Sequence, residues 1–167
     1  MDLNDVSIIG AGTMGRGIAQ LLIQNGIRVL LFDKNSDALN FSFREVRKHL
    51  IKFETEKSID TRKSIAEMLS ITDNIIEVSQ NKLIIEAVPE KISLKRELFS
   101  QIDKIAPIDT IICTNTSGLN IDSISAGTNR SSQIIGLHFF NPPYTMPLVE
   151  IARGNHTSDK TFEMVES

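Results

Sequence analysis

The sequence is poor in several of the residues that build common functional sites. Its 167 residues include a single cysteine, Cys113, which excludes an internal disulfide and a cysteine-rich zinc centre; no metal site is expected. No run approaches the roughly 18 consecutive apolar residues of a membrane-spanning helix. The formal net charge is −3, from 18 Lys and Arg against 21 Asp and Glu, which argues against a strongly basic nucleic-acid binder and leaves room only for a local basic patch. Strand-like sequence begins at Val6, and no leader is expected ahead of the first element. Histidine is scarce: His49, His138 and His156 are all there are, and acid–base chemistry near neutral pH has few other candidates. What remains is ordinary: 41% hydrophobic and 23% charged residues, a globular composition in a length of about one domain. The expectation is a reduced, cytoplasmic α/β protein.

Strand and helix patterns alternate along the chain. Val6-Ser7-Ile8-Ile9 is a short β-branched run ending in glycine. Met14, Ile18, Leu21 and Leu22 then fall on one helical face, and Gly26 stands where a helix C-terminal cap belongs. Residues 28–32 form a second strand. Leu39, Phe43, Val46, Leu50 and Phe53 mark a long amphipathic helix. Residues 83–85, 111–113 and 134–137 are further strands, and between 60 and 80 only a short helix and a short edge strand are expected. Pro89 suits the first turn of a helix whose stripe is Leu94, Leu98, Ile102 and Ile105. The alternation predicts a doubly wound, mostly parallel sheet with helices on both faces. Residues 1–154 would be this domain. Thr157 or Ser158 would cap a helix from about Lys160, so 155–167 reads as the start of a helical segment that the chain breaks off.

The first strand leads into Gly10-Ala11-Gly12-Thr13-Met14-Gly15, a G-x-G-x-x-G string that opens a helix and has Asp33 at the end of the next strand. That context makes the string a dinucleotide fingerprint of the Rossmann type. Gly10 permits the tight turn, Gly12 lets backbone approach a pyrophosphate, and Gly15 lets helix and strand pack. The helix N-terminus offers free N–H groups and partial positive charge to phosphates. Asp33 can accept hydrogen bonds from both hydroxyls of an adenosine ribose and would repel a 2′-phosphate, which favours NAD over NADP.

His138 lies at the end of an apolar strand, where ligands of open α/β sheets bind. Glu150 stands inside a second β-like run, 147–151. A carboxylate there needs a partner, and His138 is a natural one across the sheet. A carboxylate on one ring nitrogen fixes the tautomer, the logic of a His–acid dyad; the alternative is a strand-edge glutamate facing water. Asn115 and Ser117 follow the strand ending at Cys113, where they can reach a nicotinamide ribose or substrate oxygen or simply shape a turn. Glu90, in a helix's first turn, would be favourable whatever the function.

Six stretches together carry a resemblance: GAGTMGRGIAQ at 10–20, EAVPE at 86–90, TNTS at 114–117, GLHFFNPP at 136–143, MPLVEI at 146–151 and TSDKT at 157–161. The chain resembles, over essentially its whole length, the NAD-binding domain of the L-3-hydroxyacyl-CoA dehydrogenase family, 3-hydroxybutyryl-CoA dehydrogenases included. The HFFNP block with a glutamate twelve residues on is far more specific than the glycine loop.

The resemblance implies an oxidoreductase that interconverts L-3-hydroxyacyl-CoA and 3-oxoacyl-CoA with NAD. It implies His138 as catalytic base, Glu150 as its orienting acid, and Ser117 in contact with both substrate and cofactor. Asp33, Glu90, Lys95, Ser117 and Asn141 would contact NAD. Ser42 and Lys48 (or its neighbour His49) would meet CoA, on a helix that also carries Arg44, Arg47 and Lys52. Relatives with similar N-terminal motifs act on carrier-protein-bound acyl groups or sugar acids, and these residues do not decide between the three; an NAD-binding module without catalysis is a further alternative, against which both His138 and Glu150 argue. The resemblance also implies a C-terminal helical domain that would close the cleft and form a homodimer; residues 1–167 are expected to stop short of it.

Overall fold

The computed structural model describes residues 5–57, 64–146 and 148–166. It contains β1 (Asp5–Ile9), α1 (Thr13–Gln24), β2 (Arg28–Phe32), α2 (Ser36–Lys57), β3 (Leu69–Thr72), α3 (Ile75–Val78), β4 (Leu83–Glu86), α4 (Ile92–Ile105), β5 (Ile111–Thr114), α5 (Ile121–Ser125), β6 (Ile134–Phe139), β7 (Val149–Arg153) and α6 (Asp159–Glu166), with short 3-10 turns before β3 and β6. The strands form one seven-stranded sheet in the order β3-β2-β1-β4-β5-β6-β7. All neighbouring pairs are parallel except β6 and β7, which run antiparallel.

Side-chain alternation divides the interior in two. Ile8, Leu31, Ile85 and Cys113 face α1 and α2, where they meet Ile18, Ile23, Val46 and Leu50. Ile9, Ile84 and Ile112 point the other way, against Val78 of α3, Phe99 and Ile102 of α4 and Ile124 of α5. The central strands are apolar throughout because both their faces are covered. Strand order reverses between β1 and β4, and the carboxyl ends of the strands there open a crevice for a ligand.

Local signals account for most boundaries. The Asn35 side chain accepts hydrogen bonds from Asp37 N and Ala38 N and starts α2 a turn before the apolar stripe does. Gly26, at φ +83°, follows the end of α1. Ser158 starts α6, its hydroxyl accepting from Thr161 N at 3.2 Å. Residues 155–166 lie against this sheet: Ser158 N donates to Ser132 O, Thr161 Oγ1 donates to the same carbonyl, and Phe162, Met164 and Val165 pack on the α1/α2-side core.

Helix α4 corrects two expectations. It begins at Ile92 with Lys91 as N-cap, so Pro89 and Glu90 precede it and Glu90 does not sit in its first turn. The chain stays out of the helix there because the Glu86 carboxylate holds Val88 N at 2.7 Å and Glu90 is drawn across to Ser117 N. The buried face is Lys95, Phe99 and Ile102, and Leu94 and Leu98 turn instead toward the crevice.

Candidate active site

The crevice is a cleft of about 1100 Å³ at the carboxyl ends of β1, β2, β4, β5 and β6. Its floor is the glycine loop. Gly10 has φ +110°, and a Cβ there would lie 2.7 Å from Ala87 O; a Cβ on Gly15 would lie 1.8 Å from Gly10 O. Only glycine allows β1, α1 and the β4 loop to close this tightly. Gly10 N donates to Phe32 O at 2.8 Å. Asp33 is locked to the loop it serves: Oδ2 accepts from Ala11 N and Oδ1 from Asn35 N, both at 2.9 Å. Each oxygen keeps a lone pair for a further donor.

At the other end of the cleft stands the dyad. His138 and Glu150 are directly opposed in the β6/β7 register, and His138 Nδ1 lies 2.9 Å from Glu150 Oε2. A carboxylate only accepts, so the proton sits on Nδ1 and Nε2 is the acceptor. The Phe140 ring, 4.7 Å away between centroids, backs the imidazole. Glu150 is more exposed than its apolar flanks suggest, 59% of its side chain being accessible, because β7 is the sheet's edge. The pair therefore contributes orientation more than stability. Asn115 Oδ1 accepts from Phe139 N at 2.9 Å, which leaves its amide nitrogen as the end offered to the cleft. Ser117 and Asn141 line the same end.

Glu90 bridges two loops. Its Oε1 accepts from the Thr116 hydroxyl and from Ser117 N at 3.2 Å, and its Oε2 lies 3.3 Å from Lys95 Nζ. Partial burial pushes its carboxyl up, but the Thr116 hydroxyl and the Lys95 ammonium outweigh that and hold it below the usual carboxylate range.

Residues 5–167 match the sequence profile of the 3-hydroxyacyl-CoA dehydrogenase NAD-binding domain. The chain belongs to that family. It is 38% identical over 163 residues to a probable 3-hydroxybutyryl-CoA dehydrogenase of Bacillus subtilis, covering 96% of this chain and 57% of the relative. It is 38% identical over 166 residues to the human mitochondrial hydroxyacyl-coenzyme A dehydrogenase, covering 95% and 53%. The crystal structure of 3-hydroxybutyryl-CoA dehydrogenase from Escherichia coli superposes with a TM-score of 0.92 at 32% identity, covering 99% of this chain and 35% of that one. The chain thus spans about half the length of the curated relatives it matches.

The residues present fit the dinucleotide that this family of NAD-binding domains takes. Among the described residues no side chain caps α1, its N-cap being Gly12, and no acidic residue stands in its first turn. The N–H groups there are thus available to a pyrophosphate. A Cβ on Gly12 would meet nothing within 4 Å, so the space above that backbone is left for a ligand. Gly12, Thr13 and Met14 line the cleft, whereas Ala11 is buried and contributes the N–H that holds Asp33.

Three expected ligand contacts are placed elsewhere. Ser42 is fully buried and donates to Ala11 O at 2.6 Å; it ties α2 to the glycine loop and offers nothing to a CoA. Lys95 is also fully buried, between Glu86 and Glu90, so it underlies the cleft wall instead of lining it. Lys48 lies on the outer face of α2 with Phe43, Arg44, Arg47 and Ile51, around a separate depression of about 410 Å³, and the structure does not bring it to the main cleft. Sequence reasoning passed over Glu86. It is fully buried, and its two oxygens receive Lys95 Nζ at 2.7 and 2.8 Å, Thr114 Oγ1 at 2.6 Å and Val88 N at 2.7 Å. Burial pushes its carboxyl up against the pull of Lys95, Thr114 and Val88. The available signal was an acid closing an apolar strand, which is too costly to bury without a cation.

Proposed function

We propose that this domain serves an NAD-dependent oxidoreductase that interconverts an L-3-hydroxyacyl thioester and its 3-oxo form. The observation that carries the reading is the 2.9 Å contact of His138 Nδ1 with Glu150 Oε2 at the mouth of a cleft whose other end holds the glycine loop and Asp33.

NAD+, when bound, supplies the hydride acceptor. The chain's residues do the remaining work. Asp33 would hold the adenosine ribose and the α1 N-terminus the pyrophosphate. Asn115, Ser117 and Asn141, which line the cleft with His138, would hold the reactive end. His138 Nε2 takes the hydroxyl proton as the C3–H bond breaks, and the positive charge that develops on the imidazole is met by Glu150. In the reverse direction the same nitrogen returns the proton to the carbonyl oxygen. The names of the relatives, 3-hydroxybutyryl-CoA and hydroxyacyl-CoA dehydrogenases, favour a CoA thioester over a carrier-protein-bound or sugar-acid substrate. No helix among the described residues is long and apolar enough to cross a membrane.

The test supplies NADH with a short 3-oxoacyl-CoA, the matching carrier-protein thioester or a sugar acid. It uses this chain alone and this chain extended by the C-terminal segment of the Bacillus subtilis relative. The reading expects NADH consumption with the CoA thioester in at least one of the two. Consumption with the sugar acid alone would replace it.

A further inference from the structure

We propose that Glu86 and Lys95 are positioning residues that act on the cofactor through Glu90, and that the three together set the cleft's preference between oxidised and reduced dinucleotide. The proposal rests on the reading of the cleft as an NAD site. It concerns which redox form that site favours.

The geometry is that of a charge delivered from below. Lys95 Nζ has no solvent exposure and contacts both oxygens of Glu86, which has none either. Val88 N adds a second donor to Oε1, and Thr114 Oγ1 adds a second to Oε2. Four hydrogen bonds from three donor groups occupy the two oxygens, so a proton on Glu86 would have to displace one of them, and the group is an ionised pair. Lys95 also reaches Glu90 Oε2 at 3.3 Å. Two carboxylates and one ammonium leave one net negative charge. Glu86 and Lys95 are sealed away, whereas 41% of the Glu90 side chain is accessible and Glu90 lines the cleft with Asn115, Ser117 and His138. The surplus charge is therefore presented there.

Stability alone does not explain this arrangement. Well-packed apolar residues serve as well as a buried ion pair, or better. Held as it is, Glu90 does two things. Its Oε1 fixes the β5–α5 loop through the Thr116 hydroxyl and Ser117 N. Its charge faces the cleft end that His138 shares, the end opposite Asp33, where the nicotinamide must lie if His138 is to reach the reacting centre. The oxidised nicotinamide ring carries a positive charge and the reduced ring none. A fixed anion nearby therefore binds the oxidised form more tightly, by a factor of about ten for a unit charge in a protein-like dielectric.

Calorimetric titration of the chain with NAD+ and with NADH tests this, in wild type, Glu90→Gln and Glu86→Gln. Glu90→Gln should weaken NAD+ relative to NADH by about tenfold. Glu86→Gln removes an anion the cofactor cannot touch and should move the ratio the same way, by about threefold, with faster exchange of the Ser117 amide proton by NMR. A purely structural role would weaken both forms alike, so an unchanged NAD+ to NADH ratio in Glu90→Gln overturns the proposal, whether or not Glu86→Gln folds. If the wild-type chain binds neither form, the NAD reading itself fails and the proposal goes with it; if it binds both and only the ratio refuses to move, that reading stands and the proposal alone is lost.

Discussion

Replacing Asp33 with alanine separates a cofactor site from a glycine turn. Asp33 accepts Ala11 N on Oδ2 and Asn35 N on Oδ1, each at 2.9 Å, and its remaining lone pairs face the cleft. Alanine removes three things: the two internal bonds, the acceptors for an adenosine ribose, and the charge that repels a 2′-phosphate. The internal bonds lie at a partly exposed site, so their loss costs stability in the range of about 1–2 kcal/mol for the pair. Loss of the ribose bonds should weaken NADH by about 1–3 kcal/mol, or roughly fivefold to 150-fold. NADPH loses the same loop order but gains relief from repulsion, so its affinity should stay level or rise. The observable is the ratio of the two dissociation constants by calorimetry, with a melting curve on each variant to confirm folding. Wild type should prefer NADH strongly, and Asp33→Ala should have little preference. Equal affinities in wild type, or a ratio that survives the substitution, would refute the role given to Asp33.

Other perturbations reach different parts of the account. A Cβ on Gly17 of α1 would lie 2.6 Å from Pro143 Cδ and 2.9 Å from Cγ, ring carbons with little freedom. Gly17→Ala should therefore lower stability by about 1–2 kcal/mol despite the helix-propensity gain, and should displace the loop carrying Asn141; a higher melting temperature would show that the loop simply moves aside. The buried Asp103–Arg130 pair, at 2.8 Å, gives the pH dependence. Burial pushes the Asp103 carboxyl up, but Asn129 N and the Arg130 guanidinium outweigh it and hold it below the ordinary 3.8. Because the folded value is the lower one, its stabilisation is complete above pH 3.8 and drains away as pH falls through the folded value. Asp103→Asn should cost about 3 kcal/mol at neutral pH and should flatten the acid limb of urea-melt stability; an acid limb identical to wild type would contradict this.

The parts of the structure legible in the sequence are those where chemistry leaves the backbone little choice. Gly10 and Gly15 had to be glycine for the turn and the contact to exist, and Asp33 follows at the next strand end. His138 and Glu150 were legible as partners because an acid among apolar strand residues needs one, although β7 proved to be an edge where that need is weak. The helix faces were harder to read. On α4, Leu94 and Leu98 form as good a stripe as Phe99 and Ile102, and only the position of Glu86 beneath decides that Lys95 turns inward. Ser42 has helical spacing and polarity suited to a ligand, but its hydroxyl finds Ala11 O, 31 residues back, a partner that exists only once α2 lies over the glycine loop. Glu90 looked like a helix-terminus acid and instead bridges two loops, because its partners Thr116 and Ser117 come from the next strand end.

The central claim is that His138, oriented by Glu150, is the base. It is tested most directly by single-turnover hydride transfer from NADH to a short 3-oxoacyl-CoA in wild type, His138→Gln and Glu150→Gln, with NADH affinity measured on the same samples. His138→Gln should lose roughly 10²–10⁴ in rate and Glu150→Gln less, with NADH affinity held within about twofold because neither residue belongs to the glycine loop or the Asp33 end. Hydride transfer at the wild-type rate in His138→Gln, with NADH still bound, would contradict it.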